Sequence, residues 1–293
     1  MQLTHQQLTD YRENGFLLIE NVFTEDELRI ILHEMKAVIK EDSPRKILEK
    51  NGAVRSFFAP DFTNELFEKL TRLNRLVTPS RQLIGEDVYI HQTKINCKHA
   101  MVGDWWEWHQ DYTFWKQDDG MPEPEVLTAM IFLNDANEFN GPMLLIPGSH
   151  KAGVVDSEEN KPAGHADANS EWFSDYQNST TYMSALTADL KYTLKRKTIA
   201  DWARRKGIVA AKGKAGSVLF FHGNVFHASS NNMSPWERYT FLVTYNSIKN
   251  TLPDMPNPRP EFIANRNFNA VTAAADSAIL ECMSVDKLVS AVG

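Results

Sequence analysis

The sequence predicts a mainly β protein with flanking helices, built as a β-sandwich or jelly roll. Helical periodicity is concentrated in the N-terminal part of the chain, and short apolar segments separated by turn residues follow it. Helices followed by many short strands are typical of a jelly roll that helices buttress on one side. The chain has 293 residues, of which 42% are hydrophobic, so a core of ordinary size can form without disulfides.

The N-terminal part, about 1–85, is predicted to hold the helices. A short polar helix is expected to end at Gly15, because glycine suits the left-handed conformation that closes many helices. Thr24 and Glu27 have the spacing of a capping box, in which the two side chains bond backbone N–H groups at a helix start. The expected elements are a strand at 16–19 and helices at 25–40 and near 62–75.

Residues 87–96 alternate between apolar and polar in the manner of a half-buried strand. Because strand side chains repeat every two residues, one face carries Val88, Ile90, Gln92, Lys94 and Asn96. The polar end of that face indicates a strand that lines a polar cavity; a solvated strand end would give the same pattern. Further strands are expected at 126–133, 143–146, 208–211, 217–222 and 239–246.

The strands are expected to form one core, about 86–250, with a polar insertion at 151–206. The insertion has a helical pattern near its end, at 195–206. The last residues, 251–293, show no regular pattern and are expected to form an irregular tail. Because the motifs described below are spread along the whole sequence, residues 1–293 are predicted to form a single domain.

The composition excludes several classes of protein. Lys and Arg number 31 and Asp and Glu number 38, a net charge of −7, which argues against nucleic acid as the main partner. No apolar stretch is long enough for a membrane span, and the polar N-terminus lacks a signal-peptide core. With two cysteines, Cys97 and Cys282, the simplest expectation is a reduced, cytoplasmic protein. The sequence leaves the oligomeric state open.

The segment 106–112, WEWHQDY, contains a candidate metal site. On an extended segment the side chains of His109 and Asp111 point to the same side. A histidine and a carboxylate are two of the three ligands of the facial triad in non-haem iron(II) oxygenases. His227 follows the predicted strand at 217–222 and is the expected third ligand, with His222 as its competitor.

Arg238 stands eleven residues after His227, at the start of the last predicted strand. A guanidinium group matches the two oxygens of a carboxylate, so an arginine here can bind the far carboxylate of an oxo-acid. The four residues together are a much more specific pattern than any one of them alone.

The chain resembles the phytanoyl-CoA dioxygenase-type family of iron(II)- and 2-oxoglutarate-dependent oxygenases. Within that family it is similar to the bacterial ectoine hydroxylases and, more closely, to the trans-4-hydroxylases of free L-proline. The segments that carry the resemblance are DSPRKILEKNG (42–52), DVYIHQTKIN (87–96), WEWHQDY (106–112), DGMPEP (119–124), NGPMLLIPGSH (140–150), NMSPWERYTFLVTYN (232–246) and RPEFIANR (259–266). They extend from the N-terminal helices almost to the C-terminus.

The resemblance implies a double-stranded β-helix core with Fe(II), 2-oxoglutarate and O₂ as its reactants. It implies iron ligation by His109, Asp111 and His227, and a 2-oxoglutarate site formed by Arg238, Ser229 and Asn96. It also implies that the organic substrate contacts Gln92, Trp115 and Arg259.

The substrate expected from the resemblance is a small free amino acid, L-proline first, hydroxylated to trans-4-hydroxy-L-proline. Its carboxylate would meet a cation, Arg259 first and Lys94 second, its ammonium group Gln92, and its ring Trp115. The ectoine hydroxylases carry a substrate-facing asparagine where this chain has Thr240, which counts against ectoine. Hydroxylation of ectoine or of another small cyclic amino acid is the alternative. A non-catalytic jelly-roll binding protein is the alternative from another class.

Other conspicuous residues have less specific interpretations. His150 is expected to support the site rather than bind metal, because the triad must leave coordination positions open. The tryptophans at 105, 106 and 108 suit either a pocket wall or core packing. Residues 119–124 suit either a lid or a plain connecting loop.

Overall fold

The structure is a computed structural model, and it describes residues 1–155, 157–159 and 190–282. Among these residues the helices are α1 (His5–Asn14), α2 (Glu25–Val38), α3 (Glu65–Arg72), α4 (Asn74–Ile84), α5 (Asp111–Asp119) and α6 (Arg196–Lys206). Short 3₁₀ turns lie at Pro60–Phe62, Ser149–Ala152 and Leu280–Cys282. The strands are β1 (Phe16–Ile19), β2 (Lys46–Leu48), β3 (Val54–Phe58), β4 (Val88–Lys98), β5 (Trp106–His109), β6 (Val126–Phe132), β7 (Met143–Leu145), β8 (Ser157–Glu159), β9 (Tyr192–Leu194), β10 (Val209–Ala211), β11 (Val218–His222), β12 (His227–Ser229) and β13 (Arg238–Ser247).

The strands form two antiparallel sheets and a separate pair of short antiparallel strands. The large sheet has the order β1-β11-β6-β13-β4-β3-β2, and the small sheet has the order β10-β7-β12-β5. The two remaining strands, β8 and β9, pair with each other. Two facing antiparallel sheets with helices against the larger one agree with the predicted jelly roll.

Alternate residues of the central strands enter two different cores. On β11, Val218 and Phe220 pack with the N-terminal helices, whereas Leu219 and Phe221 pack toward the small sheet. The alternation follows from the two-residue repeat of a strand. On β13, Leu242 packs toward the small sheet. Because Arg238 shares its parity, the arginine side chain also lies between the two sheets, where the candidate site is found.

The predicted N-terminal helix signals are confirmed. Thr4 and Thr24 each form a capping box at the start of α1 and α2, with Gln7 and Glu27 as the third helical residues. The first helix ends at Gly15, whose φ of 82° is in the left-handed region. Adding a Cβ there would also place it against the ring of His150, so this position requires glycine for two reasons.

Several elements differ from the sequence prediction. The single helix expected near 62–75 is two helices, α3 and α4, with Leu73 in an extended conformation between them. Pro79 inside α4 and the lack of a side-chain cap conceal this second helix from pattern reading. The strands β2, β3, β5 and β12 were not predicted, and each has five residues or fewer.

The insertion and the tail are described only in part. The predicted helix at 195–206 is confirmed as α6, while most of the predicted insertion between 151 and 190 lies outside the described residues. In the tail, residues 251–282 hold turns and one 3₁₀ turn, as expected for an irregular segment. No helix among the described residues is long and apolar enough to cross a membrane. Cys97 and Cys282 are both free thiols.

Candidate active site

Three potential metal ligands meet at one end of the small sheet. His109 on β5 and His227 on β12 are directly paired residues of the two antiparallel strands. The Nε2 atoms of His109 and His227 lie 3.4 and 3.8 Å from Oδ1 of Asp111. One ligand atom from each of the three residues lies within 4.8 Å of the others, so a single ion can be bound by all three.

Both imidazole rings are oriented by the backbone. Nδ1 of His109 lies 2.6 Å from the carbonyl oxygen of Glu107, and Nδ1 of His227 lies 3.0 Å from that of Val225. Each Nδ1 therefore carries the proton, which directs the lone pair of Nε2 toward Asp111. This is the tautomer that a metal-binding histidine requires.

The protonation states of the ligands also suit a cation. Burial, together with the neighbouring His109 ring, lowers the pKa of His227 to about 4, so this ring is neutral near pH 7. Burial by itself would raise the pKa of Asp111, but the adjacent imidazole groups and the charge of Lys94 outweigh it and the pKa is lowered. The site therefore presents one carboxylate and a neutral imidazole at neutral pH.

The backbone around Gln110 brings Asp111 to the histidines. The sequence prediction placed His109 and Asp111 on one extended segment, whereas the structure begins α5 at Asp111. Gln110 itself is still extended (φ −119°, ψ 125°), so the side chains on either side of it point the same way. Its buried amide donates to the carbonyl oxygens of Gly153 (2.7 Å) and Asn224 (2.8 Å), which fixes this junction.

The competing histidines do not join the cluster. The rings of His222 and His150 lie 5.2 Å from each other, and Nδ1 of His222 accepts a hydrogen bond from the backbone of Asn224. The alternative in which His222 replaces His227 is therefore not supported.

A pocket that is partly open to solvent extends from the three ligands between the two sheets. Its lining includes all ten residues that the sequence predicted for the site: Gln92, Lys94, Asn96, His109, Asp111, Trp115, His227, Ser229, Arg238 and Arg259. The polar end of the face predicted for 87–96 is thus confirmed to line a cavity. Its apolar members Val88 and Ile90 pack on the opposite side of the sheet, because the pairing of β4 with β13 skips His91 and shifts the alternation by one residue.

One end of the pocket holds a buried cation without a partner. Among the described residues, Arg238 makes no hydrogen bond or ion pair, although its side chain is only 5% exposed. Burial lowers the pKa of Arg238 to about 10, a sign of an uncompensated charge. The hydroxyl groups of Ser229 and Thr240 are also buried without partners. Asn96 accepts a hydrogen bond from Ser56 (2.8 Å), which leaves its amide N–H groups as donors. These groups form a donor set without an acceptor, as an anion site requires.

The other end of the pocket is held by the C-terminal segment. Nε2 of Gln92 donates to the carbonyl oxygen of Ile263 (2.7 Å). Arg259 was expected to face a substrate carboxylate, but it already forms a two-point ion pair with Asp119, in which its Nε lies 2.7 Å from Oδ1. A second carboxylate oxygen, of Asp118, lies 3.9 Å from its Nη1.

Asp119 is a site residue that the sequence pattern does not single out. In the sequence it stands only as the first residue of the segment 119–124. Asp111, Trp115 and Asp119 are four residues apart, so they share one face of α5. That spacing would have revealed the cluster if the helix had been recognised.

The segment 119–124 is packed against its surroundings. Tyr112 donates to the carbonyl oxygen of Pro122 (2.8 Å), and the backbone of Glu123 donates to Asn250 (2.9 Å). The segment is therefore a connecting loop that hydrogen bonds hold against α5 on one side and against the segment after β13 on the other.

The tryptophans at 105, 106 and 108 have three different environments. Trp106 lines the pocket, and the guanidinium carbon of Arg55 lies 3.7 Å from its ring centroid. Trp108 packs in a small apolar cluster with Phe226, and Trp105 is about half exposed.

Comparisons with known proteins identify the family. The sequence profile of the family described as Phytanoyl-CoA dioxygenase (PhyH) matches residues 11–240. The chain is 34% identical over 278 residues to an ectoine dioxygenase of Bordetella bronchiseptica, covering 92% of this chain and 85% of the relative. It is 33% identical over 262 residues to an L-proline trans-4-hydroxylase of Streptomyces griseoviridis, covering 89% and 92%.

The structure of this chain is also similar to a solved structure of EctD. The crystal structure of EctD from S. alaskensis with 2-oxoglutarate and 5-hydroxyectoine superposes with a TM-score of 0.75 at 26% identity, covering 93% of this chain and 88% of that chain. The double-stranded β-helix fold, the ligand cluster and the family match agree with one another. The chain therefore belongs to the phytanoyl-CoA dioxygenase family of 2-oxoglutarate-dependent non-haem iron dioxygenases.

Proposed function

We propose that the protein hydroxylates an unactivated carbon of a small free amino acid, most directly L-proline to trans-4-hydroxy-L-proline. The reaction would consume 2-oxoglutarate and O₂ and release succinate and CO₂. The observation that carries the proposal is the meeting of His109, Asp111 and His227 in the same pocket as the unpaired Arg238. The relatives named for proline and ectoine hydroxylation support the substrate class.

Iron(II) would be bound by His109, Asp111 and His227, as the donor set supports. Two imidazole nitrogens and one carboxylate oxygen on one side of an ion form a facial triad, which leaves the opposite positions open. When bound, the iron activates O₂ together with 2-oxoglutarate for the oxidation of a C–H bond. The protein's own part is to hold the ligands in the correct tautomer and to position the reactants between the two sheets.

The distal carboxylate of 2-oxoglutarate would bind Arg238, Ser229 and Asn96. An acid with a carboxylate at each end can reach the metal and this donor set at once. Its negative charge would neutralise a buried guanidinium that has no other partner among the described residues. The free energy of that neutralisation favours a dicarboxylate over a monocarboxylate.

The amino-acid substrate would lie between Trp115, Gln92 and the metal ligands. The ring of Trp115 is fixed by its packing in an apolar cluster with Tyr112 and Met121. Because reaction rates fall steeply when a substrate is displaced by about 1 Å, such fixed walls decide which carbon is attacked.

Ectoine is the second candidate, and a relative named for it supports it as strongly as the proline relative supports proline. Thr240 favours proline, because it stands where ectoine hydroxylases have an asparagine. In this chain its buried hydroxyl lies on β13 between Arg238 and Leu242.

A substrate panel tests the proposal. The enzyme with Fe(II) and 2-oxoglutarate is given L-proline, D-proline, L-pipecolate and ectoine, succinate formation is measured, and each product is identified by NMR. We expect the largest substrate-dependent succinate release with L-proline and a 4-hydroxylated trans product. A preference for ectoine would reject proline as substrate, and binding of the panel compounds without any turnover would reject the hydroxylase.

A further inference from the structure

The pocket contains more positive charge than its own carboxylates can balance. Its charged lining residues, among those that the structure describes, are Lys94, Asp111, Arg238 and Arg259. Asp111 belongs to the metal ligands, and Arg238 is assigned above to the distal carboxylate of 2-oxoglutarate. Lys94 and Arg259 remain as candidates for a negative charge on the amino-acid substrate.

Arg259 is already neutralised by the protein. Its Nε and Nη2 atoms bond both oxygens of Asp119, and its third nitrogen lies 3.9 Å from Asp118. Burial alone would lower the pKa of Arg259, but the bonds and charge of Asp119 outweigh it and raise the pKa. Asp119 is completely buried, so breaking this pair would leave a carboxylate without a counterion. Arg259 therefore ties the C-terminal segment to the end of α5.

Lys94 has no such partner. Among the described residues, its ammonium group makes no hydrogen bond or ion pair, and it lies 6.0 Å from the centroid of the Phe58 ring. Its side chain lines the same pocket as the metal ligands Asp111 and His227. Among the described residues, Lys94 is therefore a cation that has no ion-pair partner and shares the pocket with the metal ligands.

Gln92 complements Lys94 on the same face of β4. Because Nε2 of Gln92 donates to Ile263, its oxygen Oε1 is left as an acceptor toward the pocket. Two residues along a strand span about 7 Å. That distance leaves room for an α-ammonium group against the Gln92 oxygen and an α-carboxylate against the lysine.

We propose that Lys94, rather than Arg259, binds the carboxylate of the amino-acid substrate, and that the Gln92–Lys94 pair restricts the enzyme to zwitterions. The inference rests on the proposed function, because it concerns the substrate of that same site. The formal charges agree with it. Fe(II), Asp111 and Arg238 sum to +2, which the dianion 2-oxoglutarate cancels, and the half-buried Lys94 is then the remaining cation that a carboxylate of the substrate can neutralise.

The first test replaces Lys94 by methionine, which has a similar length and no charge. Binding is measured by calorimetry without O₂, on the enzyme with Fe(II) and 2-oxoglutarate, using L-proline and L-prolinamide as probes. The amide keeps the ring and the ammonium group and lacks the carboxylate. A charge-assisted hydrogen bond corresponds to about 10- to 100-fold in affinity. We expect K94M to weaken proline binding by this factor, to bind prolinamide no worse than the wild type does, and to leave the affinity for 2-oxoglutarate within about twofold.

Matched variants separate charge from structure. Lys94→Arg is expected to retain proline binding within a few-fold, because it preserves the cation. The double variant R259Q/D119N removes the internal ion pair without leaving an unpaired buried charge, and it too is expected to bind proline within a few-fold of the wild type.

Three outcomes would overturn the inference: unchanged proline binding in K94M, a selective loss of 2-oxoglutarate affinity in K94M, or a loss of proline binding in R259Q/D119N larger than that in K94M. Failure of the proposed function has a different signature, since the wild-type enzyme would then turn over none of the panel compounds. If ectoine is the preferred substrate, ectoine and its carboxamide replace the proline probes and the expected factors stay the same.

Discussion

The two ends of the pocket are built in opposite ways. At the metal end, His109 and His227 stand on the neighbouring strands β5 and β12 of the small sheet, and Arg238 stands on β13 of the large sheet. Within the part of the chain that the structure describes, none of the three makes an ion pair with a residue outside the site. At the substrate end, Gln92 and Arg259 are engaged by distant parts of the chain, through Ile263 and Asp119. At the metal end, polar groups such as Arg238 and Ser229 have no partner among the described residues. At the substrate end, Gln92 and Arg259 are held in place by residues far away in the sequence.

This difference between the two ends indicates which polar groups are available to bind ligands. A buried polar group without a partner is unfavourable, so the protein tolerates it where a ligand completes it. Among the residues that the structure describes, Arg238, Ser229 and Thr240 meet that criterion, and Arg259 does not, since Asp119 pairs with it. A charged residue that lines the pocket is expected to bind a ligand when it has no partner in the protein, and to be structural when the protein already pairs it.

The largest effect is expected at the metal end. Substitution of Asp111 by alanine removes the only carboxylate of the ligand cluster, so proline-dependent succinate formation should fall by more than about a thousandfold. Iron content after reconstitution, measured by atomic absorption, should fall in parallel. His222→Gln is the control, because His222 lies outside the cluster and should leave iron binding intact. Full activity of D111A would remove Asp111 from the ligand set.

The next effect is expected at the substrate end, in stability. Removing one partner of a buried ion pair costs about 3–5 kcal/mol, so R259Q should lower the free energy of unfolding by roughly that amount. R259Q/D119N should recover most of the loss, because no unpaired charge remains. Denaturant titration of both variants measures the difference. Equal losses in the two variants would show that the Arg259–Asp119 pair does not act as a unit.

A smaller effect is expected for the cosubstrate. Arg238→Met should raise the 2-oxoglutarate KM by about 100-fold, from the loss of a charge-assisted contact, and should leave the proline KM nearly unchanged. It should not destabilise the protein, because it removes an uncompensated buried charge. Steady-state kinetics in both reactants checks this, and equal shifts in the two KM values would contradict the assigned role.

The smallest effect concerns His91, which lies behind the substrate wall with its ring centroid 5.3 Å from that of Trp115. Burial, and then the charges of Arg259 and Arg266, lower its pKa to about 3, from an ordinary value of 6.5. Between these values the unfolded chain binds more protons, so stability falls as the pH decreases. At pH 5 this residue should cost about 2 kcal/mol relative to pH 7.

His91→Leu should make the pH dependence of the unfolding free energy flatter by that amount, which denaturant titrations at pH 7 and pH 5 measure. An unchanged slope would mean that His91 does not remain neutral in the folded protein. Because it lies at the substrate end, the variant should leave iron content unaffected.

The sequence predicted the metal end more completely than the substrate end, for a physical reason. His109 and Asp111 are two residues apart, and His227 follows an apolar strand, so local patterns reveal them. Arg259 was placed correctly in the pocket, but its partner Asp119 is 140 residues away in the chain and no local pattern connects them. The short strands β5 and β12 were missed for a related reason, since three or four residues carry too little periodicity to be recognised.

The direct pairing of His109 with His227 has a consequence for how this enzyme can vary. The hydrogen bonds between β5 and β12 set the separation of the two ligands, so this separation does not depend on the length of the 117-residue interval between them. Loops in that interval can lengthen or shorten without disturbing the metal site, as long as the two strands keep their alignment and Gln110 keeps the contacts that position Asp111. One residue inserted into β12 ahead of His227 would turn its side chain to the opposite face of the sheet. The loops at the pocket entrance can therefore change in length and sequence during evolution, whereas the few paired residues of β5 and β12 must keep their register.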